Sequence, residues 1–140
     1  MESGPRVARL HRIDLSEEFD EFFCFSATFG SNTLVAMSHP YMDQSVRVHR
    51  LRGDRLEELA RIKLKCPDRL LWLADRLLVA DSDDKSHAVI EREMSDTRLE
   101  RRRELIATSE NIRVGSWCAV NDGLAIFDKN SNDVLLYSFA

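Results

Sequence analysis

The chain has 140 residues, 44% of them apolar and 31% charged, and its formal net charge is −4. This length suffices for one domain with a sizeable core, while the acidic balance provides no overall basic field to attract nucleic acid or an anionic membrane. Apolar runs are too short for a membrane-spanning helix or a signal peptide. We therefore expect a cytoplasmic or nuclear protein that binds neither nucleic acid nor membrane.

The first strands are predicted from short apolar runs that turn residues separate. Residues 1–5 are expected to form a disordered lead, and residues 6–140 a single domain. The mixed pattern of residues 6–15 allows a half-exposed strand. Residues 22–29, rich in Phe, have the length and composition of a strand buried on both faces, and a Gly-Ser-Asn turn joins them to residues 33–38 as a hairpin.

A third strand follows, and the cycle of elements then begins again. After a loop over residues 39–44, most of residues 45–51 alternate with a period of two, which is the pattern of an amphipathic strand. The next segment, Leu-Ala-Arg-Ile-Lys-Leu at residues 59–64, resembles Leu-His-Arg-Ile-Asp-Leu at residues 10–15. We infer three repeats, at residues 6–51, 54–94 and 97–139.

The repeats are clearest in their central hairpin strands. Residues 33–38, 77–82 and 124–129 resemble one another at spacings of about 44 and 47 residues, which is the range of a four-stranded repeat. A turn sequence precedes each of these strands: Gly-Ser-Asn, Ala-Asp-Arg and Asn-Asp-Gly. Because Asn, Asp and Gly tolerate positive φ, the third turn is strong hairpin chemistry and the second is weak.

Two segments also fit helices. Residues 54–65 and 96–110 are rich in Leu, Glu, Arg and Ala, which are good helix formers. Both segments occupy the same place in the repeat as residues 6–15, which carry Val and Ile and have no clear cap, and this position favours strands. The predicted fold class is therefore all-β, and the alternative is α+β with helices at residues 54–65 and 96–110.

The order of elements is an outer strand, a buried strand, a hairpin and an amphipathic third strand. In this order, over residues 6–139, the chain resembles the WD40-like and related β-propeller repeat families. The resemblance implies three four-stranded antiparallel blades around a central channel. The Gly-His and Trp-Asp dipeptides of WD40 repeats are absent, and His49-Arg50, Glu91-Arg92 and Tyr137-Ser138 stand at the closing positions. Neither subfamily nor partner is carried over.

Closure of the ring is the problem that three blades raise, because propellers usually have about four to eight. Left open, three blades expose two apolar faces, which a soluble monomer does not tolerate. We expect a homodimer that forms one six-bladed ring, in which residues 6–15 of one subunit complete the blade that ends with residues 134–139 of the other. In the alternative, a longer chain or a different protein supplies the missing blades.

Two loops provide the candidate binding residues. The Ser-His-Pro-Tyr stretch contains His39 and Tyr41, and an exposed Tyr41 near the channel mouth would belong to a recognition face. The acidic loop after the second hairpin strand contains Asp83 and Asp84. Their carboxylates suit a cation or a basic peptide, although a plain polar loop is the simpler interpretation.

The remaining polar clusters are interpreted as structural. Oxygen side chains alternate in residues 128–133, but the sixth and twelfth positions of an EF-hand loop are not matched, and a solvated turn is favoured. The basic run over residues 98–103 is interpreted as charge that protects an exposed strand edge. The three cysteines are expected to be buried thiols, since they show neither pairing nor a zinc spacing.

No motif brings a nucleophile, an acid and a base together, and the chain has no Gly-rich phosphate loop, so we expect neither an enzyme nor a bound cofactor or metal. The predicted function is a non-enzymatic interaction or scaffold module of β-propeller type that docks a protein or peptide partner. The alternative is a lectin-like propeller that binds a glycan or another small ligand. That alternative requires equivalent pocket residues in each repeat, which the divergent repeats do not show.

Overall fold

The computed structural model describes residues 7–9, 12–13, 24–28, 33–39, 44–82 and 87–139, and within them the chain is all-β. The helical content of these residues is one turn of 3-10 helix, Thr108–Glu110. The strands, in chain order, are β1 (Cys24–Ala27), β2 (Leu34–His39), β3 (Ser45–Arg52), β4 (Arg55–Lys63), β5 (Pro67–Leu73), β6 (Arg76–Ser82), β7 (His87–Ser95), β8 (Arg98–Ile106), β9 (Val114–Val120), β10 (Gly123–Asp128) and β11 (Asp133–Ser138).

The all-β prediction is confirmed, and the alternative with helices at residues 54–65 and 96–110 is wrong. Helix propensity in β4 and β8 is overridden because each strand pairs along most of its length with the strand before it. Ala60 of β4 and Leu99 of β8 are buried in the same core, so tertiary contacts stabilise the extended conformation.

The strands form three antiparallel sheets that follow one another along the chain. The first sheet has the order β1-β2-β3-β4, the second β5-β6-β7-β8, and the third β9-β10-β11. Sheets and sequence repeats differ in phase by one strand, because β4 and β8 open the second and third repeats but close the first and second sheets. Within the described residues, the third sheet therefore has no fourth strand.

Two apolar cores join the sheets into a stack. The core between the first and second sheets contains Ala36, Val46, Val48, Ala60, Leu70, Trp72, Leu77, Val79 and Leu99. The core between the second and third sheets contains Leu78, Ala80, Val89, Ile106, Val114, Leu124 and Ile126. Because side chains alternate along a strand, β6 supplies Leu77 and Val79 to one core and Leu78 and Ala80 to the other. The second sheet is thus buried on both faces.

Hydrogen bonds also join β1, β5 and β9, the first strands of the three sheets. The Trp72 backbone N–H donates to Ser26 Oγ at 3.1 Å, which links the first and second sheets. The Trp117 indole N–H donates to the Leu70 carbonyl oxygen at 3.2 Å, which links the second and third. These bonds fix the lateral position of one sheet on the next.

The hairpin turns use backbone conformations with positive φ. The turn between β5 and β6 places Ala74 at φ 53°, and the turn between β9 and β10 places Asp122 at φ 53°. Asp tolerates this region better than Ala, whose Cβ crowds the following carbonyl oxygen. The weak turn sequence therefore forms a turn all the same, at a cost in conformational strain.

Candidate interaction surface

The third sheet has one buried face and one exposed face. In β10, Leu124 and Ile126 are buried against the second sheet, whereas the next residue, Phe127, is 37% exposed. The exposed face carries a set of apolar side chains that we call the open face: Cys118, Val120, Phe127, Val134 and Leu136. Phe127 pairs with Val134, and Ala125 lies between Cys118 and Leu136 on the neighbouring strands, so these residues share one apolar face.

The equivalent face is buried in both of the other sheets. Three valines occupy equivalent register positions in the three sheets: Val48 opposite Ala36, Val89 opposite Ala80, and Val134 opposite Phe127. Their exposed fractions are 0% for Val48, 2% for Val89 and 67% for Val134. The first two are covered by the next sheet of the stack, and within the described residues no sheet covers the third.

Within the part of the chain that the structure describes, no strand pairs with the outer edge of β11, which adjoins the open face. The Phe139 N–H donates to the Asp122 carbonyl oxygen at 2.8 Å, so Phe139 faces β10. Because the backbone groups of an antiparallel strand alternate in direction, those of Val134, Leu136 and Ser138 point away from β10. We call these three backbone positions the open edge. An open edge is a template for pairing with another strand.

Close contact with β10 holds β11 in place. A Cβ atom built on Gly123 would lie 2.1 Å from the Tyr137 carbonyl oxygen, so only glycine fits at this position. On the other side of β10, the pairing with β9 shifts between Phe127 and Asp128. This bulge places Gly115 beneath the Phe127 ring, whose Cδ2 would be 2.7 Å from a Cβ there.

The loop between β10 and β11 is organised by Asp128. Its carboxylate accepts hydrogen bonds from the Arg113 N–H at 3.0 Å, the Asn130 N–H at 3.0 Å and the Ser131 hydroxyl at 2.8 Å. Burial by itself raises the pKa of Asp128, but these hydrogen bonds outweigh it and hold the pKa below its ordinary value. The geometry agrees with the predicted turn at residues 128–133.

A shallow groove of about 350 Å³ lies next to the open edge, where the second and third sheets end. It is lined in part by Leu73, Arg76, Glu91, Arg103 and Phe139. Arg103 Nε lies 3.2 Å from a Glu91 carboxylate oxygen, and an Arg76 nitrogen lies 3.0 Å from the carboxylate of a second glutamate in β7. Arg76 and Arg103 are therefore neutralised in part, and the interpretation of residues 98–103 as protective charge stays a prediction.

Of the predicted binding residues, the structure describes only His39, which lies in the first sheet and not on this surface. His39 is the last residue of β2, paired with Ser45 and only 5% exposed, so its placement in a loop is wrong. The ladder between β2 and β3 runs one residue further than the sequence suggests, which takes His39 into the sheet. Tyr41, Asp83 and Asp84 lie outside the described residues, and their proposed roles stay predictions.

The cysteines divide into two kinds. Cys24 and Cys66 are partly buried, and burial raises the pKa of the Cys24 thiol although Ser38 hydrogen-bonds to it. Cys118 is exposed, so the prediction of three buried thiols is wrong for this residue. The reason is that Cys118 lies on the open face, at the position of a residue that a fourth sheet would cover.

Sequence reasoning missed the open face as a specific set of residues. The signal was present in β11, where Val134, Leu135, Leu136 and Tyr137 are consecutive apolar positions. Such a run is typical of a strand buried on both faces, yet β11 lies at the edge of the last sheet. Apolar side chains on both faces of an edge strand indicate an interface.

No protein-family model, curated protein or solved structure matches this chain. The open face is therefore interpreted from its own geometry. Among the described residues, no group of His, Cys, Asp and Glu side chains is arranged to hold a metal ion. The same part of the chain contains no helix long and apolar enough to cross a membrane.

Proposed function

We propose that this chain is a non-enzymatic interaction module of β-propeller type, whose open face docks a β-sheet of another protein subunit. One observation carries the proposal: Val134 is 67% exposed at a position where Val48 and Val89 are buried. The same kind of surface forms an interface twice within the chain. The third copy of that surface has the composition of an interface, and no described part of the chain covers it.

Sheet-on-sheet contact is the partner geometry that the molecule itself uses. Both internal cores form between stacked sheets whose apolar faces interdigitate. Val134 and Leu136 are 67% and 74% exposed, and burying such a side chain fully stabilises a complex by about 1.5–3 kcal/mol. Docking of another sheet would thus be driven by the same hydrophobic effect that holds the stack together.

The other end of the stack is different. On the face of the first sheet that points away from the second sheet, Met37 and His49 are 1% and 2% exposed. Phe25 is the large apolar side chain that remains exposed on the described part of that face, at 62%. Association is therefore proposed at the open face of the third sheet, with a homodimer as the first candidate complex and the blades of another protein as the second.

The solution mass, measured by light scattering at two protein concentrations, tests the proposal. We expect a mass near twice 16.1 kDa at the higher concentration for the wild type. The variant Leu136→Asp should stay monomeric, because a charge in the docked interface is not compensated. A matched control, Leu56→Asp in β4, places the same charge on a partly buried strand remote from the open face.

Cys118 provides a second readout that needs no substitution. Its thiol lies on the open face, so alkylation of Cys118 should slow as the protein concentration rises, whereas alkylation of Cys66 should not change. If the wild type is monomeric throughout, the remaining candidate is a different protein, captured by the wild type and not by Leu136→Asp. Absence of both self-association and such a partner overturns the proposed function.

A further inference from the structure

The third sheet is one strand short of the other two within the described residues. The first and second sheets each have four strands, and in each the fourth strand pairs with the third. The equivalent place in the third sheet is the open edge of β11. A strand added there would pair with the outward backbone groups of Val134, Leu136 and Ser138 and complete the pattern of the stack.

The chain contains a second segment with the sequence of a fourth strand. Residues 10–15, Leu-His-Arg-Ile-Asp-Leu, resemble residues 59–64, Leu-Ala-Arg-Ile-Lys-Leu, and residues 59–63 lie in β4. In the first sheet, this sequence pairs with β3 through Val46 opposite Ile62 and Val48 opposite Ala60. Where the structure describes this sequence pattern, in β4, the segment forms the fourth strand of a sheet.

Within one copy of the chain, the described residues of this segment, 7–9 and 12–13, do not pair with the open edge. Residues 7–9 and 12–13 belong to no strand, and residues 7–9 are exposed, with Val7 at 102%. We infer that residues 6–15 of a second copy add to β11 as the fourth strand of the third sheet. This inference rests on the proposed function and identifies the occupant of the open edge as a second copy of the chain.

The register of β3 with β4 predicts the register of the added strand. Val134 is equivalent to Val48, so His11, equivalent to Ala60, should lie opposite Val134. One position further, Arg12 lies opposite Asp133, which pairs a guanidinium with a carboxylate across the strands. Charge complementarity thus supports the antiparallel register that the repeat predicts.

Toward the C-terminal end of β11, the same register identifies two backbone N–H groups, one on each strand, that can be removed separately by substitution. The pairing of β3 with β4 shifts at a bulge, beyond which Arg50 lies opposite Glu57. Leu136 is equivalent to Arg50 and Ala8 to Glu57, so Ala8 of the added strand should lie opposite Leu136. The outward N–H of Leu136 then points at the added strand, and the Ala8 N–H points at β11.

Proline has no N–H, so a proline at either position removes a hydrogen bond of the added strand. Leu136→Pro blocks the open edge without removing a hydrogen bond between β10 and β11. Ala8→Pro blocks the added strand, and it leaves the single chain intact because residues 7–9 are exposed and outside any strand. The variants Ala8→Val and Leu136→Ala keep the N–H and serve as matched controls.

Mixing the two proline variants tests strand exchange directly. Each variant alone should associate about tenfold more weakly than its control, since hydrogen bonds to the added strand are lost at both junctions of a dimer. An equimolar mixture loses the same two hydrogen bonds per mixed dimer, but both at one junction, so the other junction is intact. Amide hydrogen exchange of the mixture should therefore restore protection at Val134, Leu136 and Ser138 of the Ala8→Pro chain, because the Leu136→Pro chain donates an intact strand to that edge. Circular dichroism of each variant confirms that it is folded.

Amide hydrogen exchange of the wild type gives a readout without substitution. The Val134, Leu136 and Ser138 amides should become protected as the protein associates, and Ala8→Pro should remove that protection. If Ala8→Pro associates like wild type while Leu136→Asp does not, the inference is overturned and the proposed function stands. If Ala8→Pro associates like wild type but Leu136→Pro fails to associate, two copies of β11 pair with each other. A wild type that neither associates nor captures a partner overturns both.

Discussion

The second and third sheets present equivalent faces in opposite settings. Val89 in the second sheet is 2% exposed because the third sheet lies over it, and Val134 in the third sheet is 67% exposed. The residue type is the same, and the cross-strand position is the same. What differs is whether another sheet follows in the stack. The exposure of the valine at this position therefore depends on whether another sheet packs over it. No described part of the chain packs over the open face.

The largest expected effect comes from placing the same charge at both valine positions. Val89→Asp buries an unpaired carboxylate in the core between the second and third sheets and should cost roughly 3–5 kcal/mol of unfolding free energy. Val134→Asp should change the stability of the unassociated chain by less than about 0.5 kcal/mol. Urea unfolding at low protein concentration measures both. Equal losses would show that Val134 is covered within a single chain.

Glycine substitutions test how firmly β11, which carries the open edge, is held. Gly123→Ala forces a Cβ against the Tyr137 carbonyl oxygen, so β11 must shift, and we expect a loss of about 3 kcal/mol. In the turn between β3 and β4, Gly53 has φ 62° and no atom within 4 Å of a built Cβ, so Gly53→Ala should cost only about 1 kcal/mol. Thermal unfolding compares the two, and a smaller loss for Gly123→Ala would contradict the close contact.

Asp68 is a buried carboxyl, and its negative charge should reduce the stability of the fold. Burial raises the pKa of this carboxyl despite the nearby Arg69, Lys129 and Arg113, and its Oδ1 accepts no hydrogen bond from the described residues. A raised pKa means that the folded state favours the protonated form, so its stabilising effect is present at low pH and is lost as pH rises through the folded pKa.

Asp68→Asn should therefore raise the unfolding free energy at pH 7, by on the order of 1 kcal/mol. The difference from wild type should shrink as pH falls below the folded pKa, because the wild-type carboxyl is then neutral as well. Urea unfolding across a pH series measures this difference. A gain that stays constant down to acid pH would assign the effect to a cause other than charge.

The smallest effect is expected in the hairpin turns of the two sheets. Ala74→Gly in the second sheet relieves a positive φ of 53° and should stabilise the chain by about 0.5–1 kcal/mol. Asp122→Gly, at the same φ in the third sheet, should gain less, because Asp tolerates this conformation better than Ala. A thermal shift assay on both variants measures the two gains. An equal gain in stability would contradict the expectation that Ala is more strained than Asp at this φ.

Local pattern is sufficient to predict some of the strands and not others. The strand expected at residues 6–15 is not found at their described positions, 7–9 and 12–13, and β1 is exposed at alternate residues and not buried on both faces as the composition of residues 22–29 suggests. The alternation in residues 45–51 predicts β3, in which Val46 and Val48 are buried, and the turn sequences before residues 77 and 124 predict their hairpins. The helix formers in residues 54–65 mislead because propensity is a local quantity. Pairing with β3 is a non-local interaction, and it stabilises the extended conformation of β4 more than a helix gains from its own residues.

Local pattern does not predict which sheet a strand joins or which sheet packs over it. The hydrophobic pattern is identical whether β4 joins the sheet before it or the sheet after it, so the sequence repeats do not reveal the offset of one strand. The burial predicted for Cys118 is wrong for a related reason. Exposure depends on whether another sheet lies over its strand, and this is a property of the assembly of sheets and not of the strand.

The linear order of the stack has a consequence for how the molecule comes apart. The second sheet packs against a neighbouring sheet on both faces, whereas the third sheet packs against a described neighbour on one face only. Each sheet should therefore unfold according to the contacts that it makes with its immediate neighbours. Each contact contains one tryptophan: Trp72 lies between the first and second sheets, and Trp117 packs between the second and third. Single-tryptophan variants would thus report fluorescence from each contact separately, and Trp117 should respond at lower denaturant concentration because fraying begins at the uncovered end.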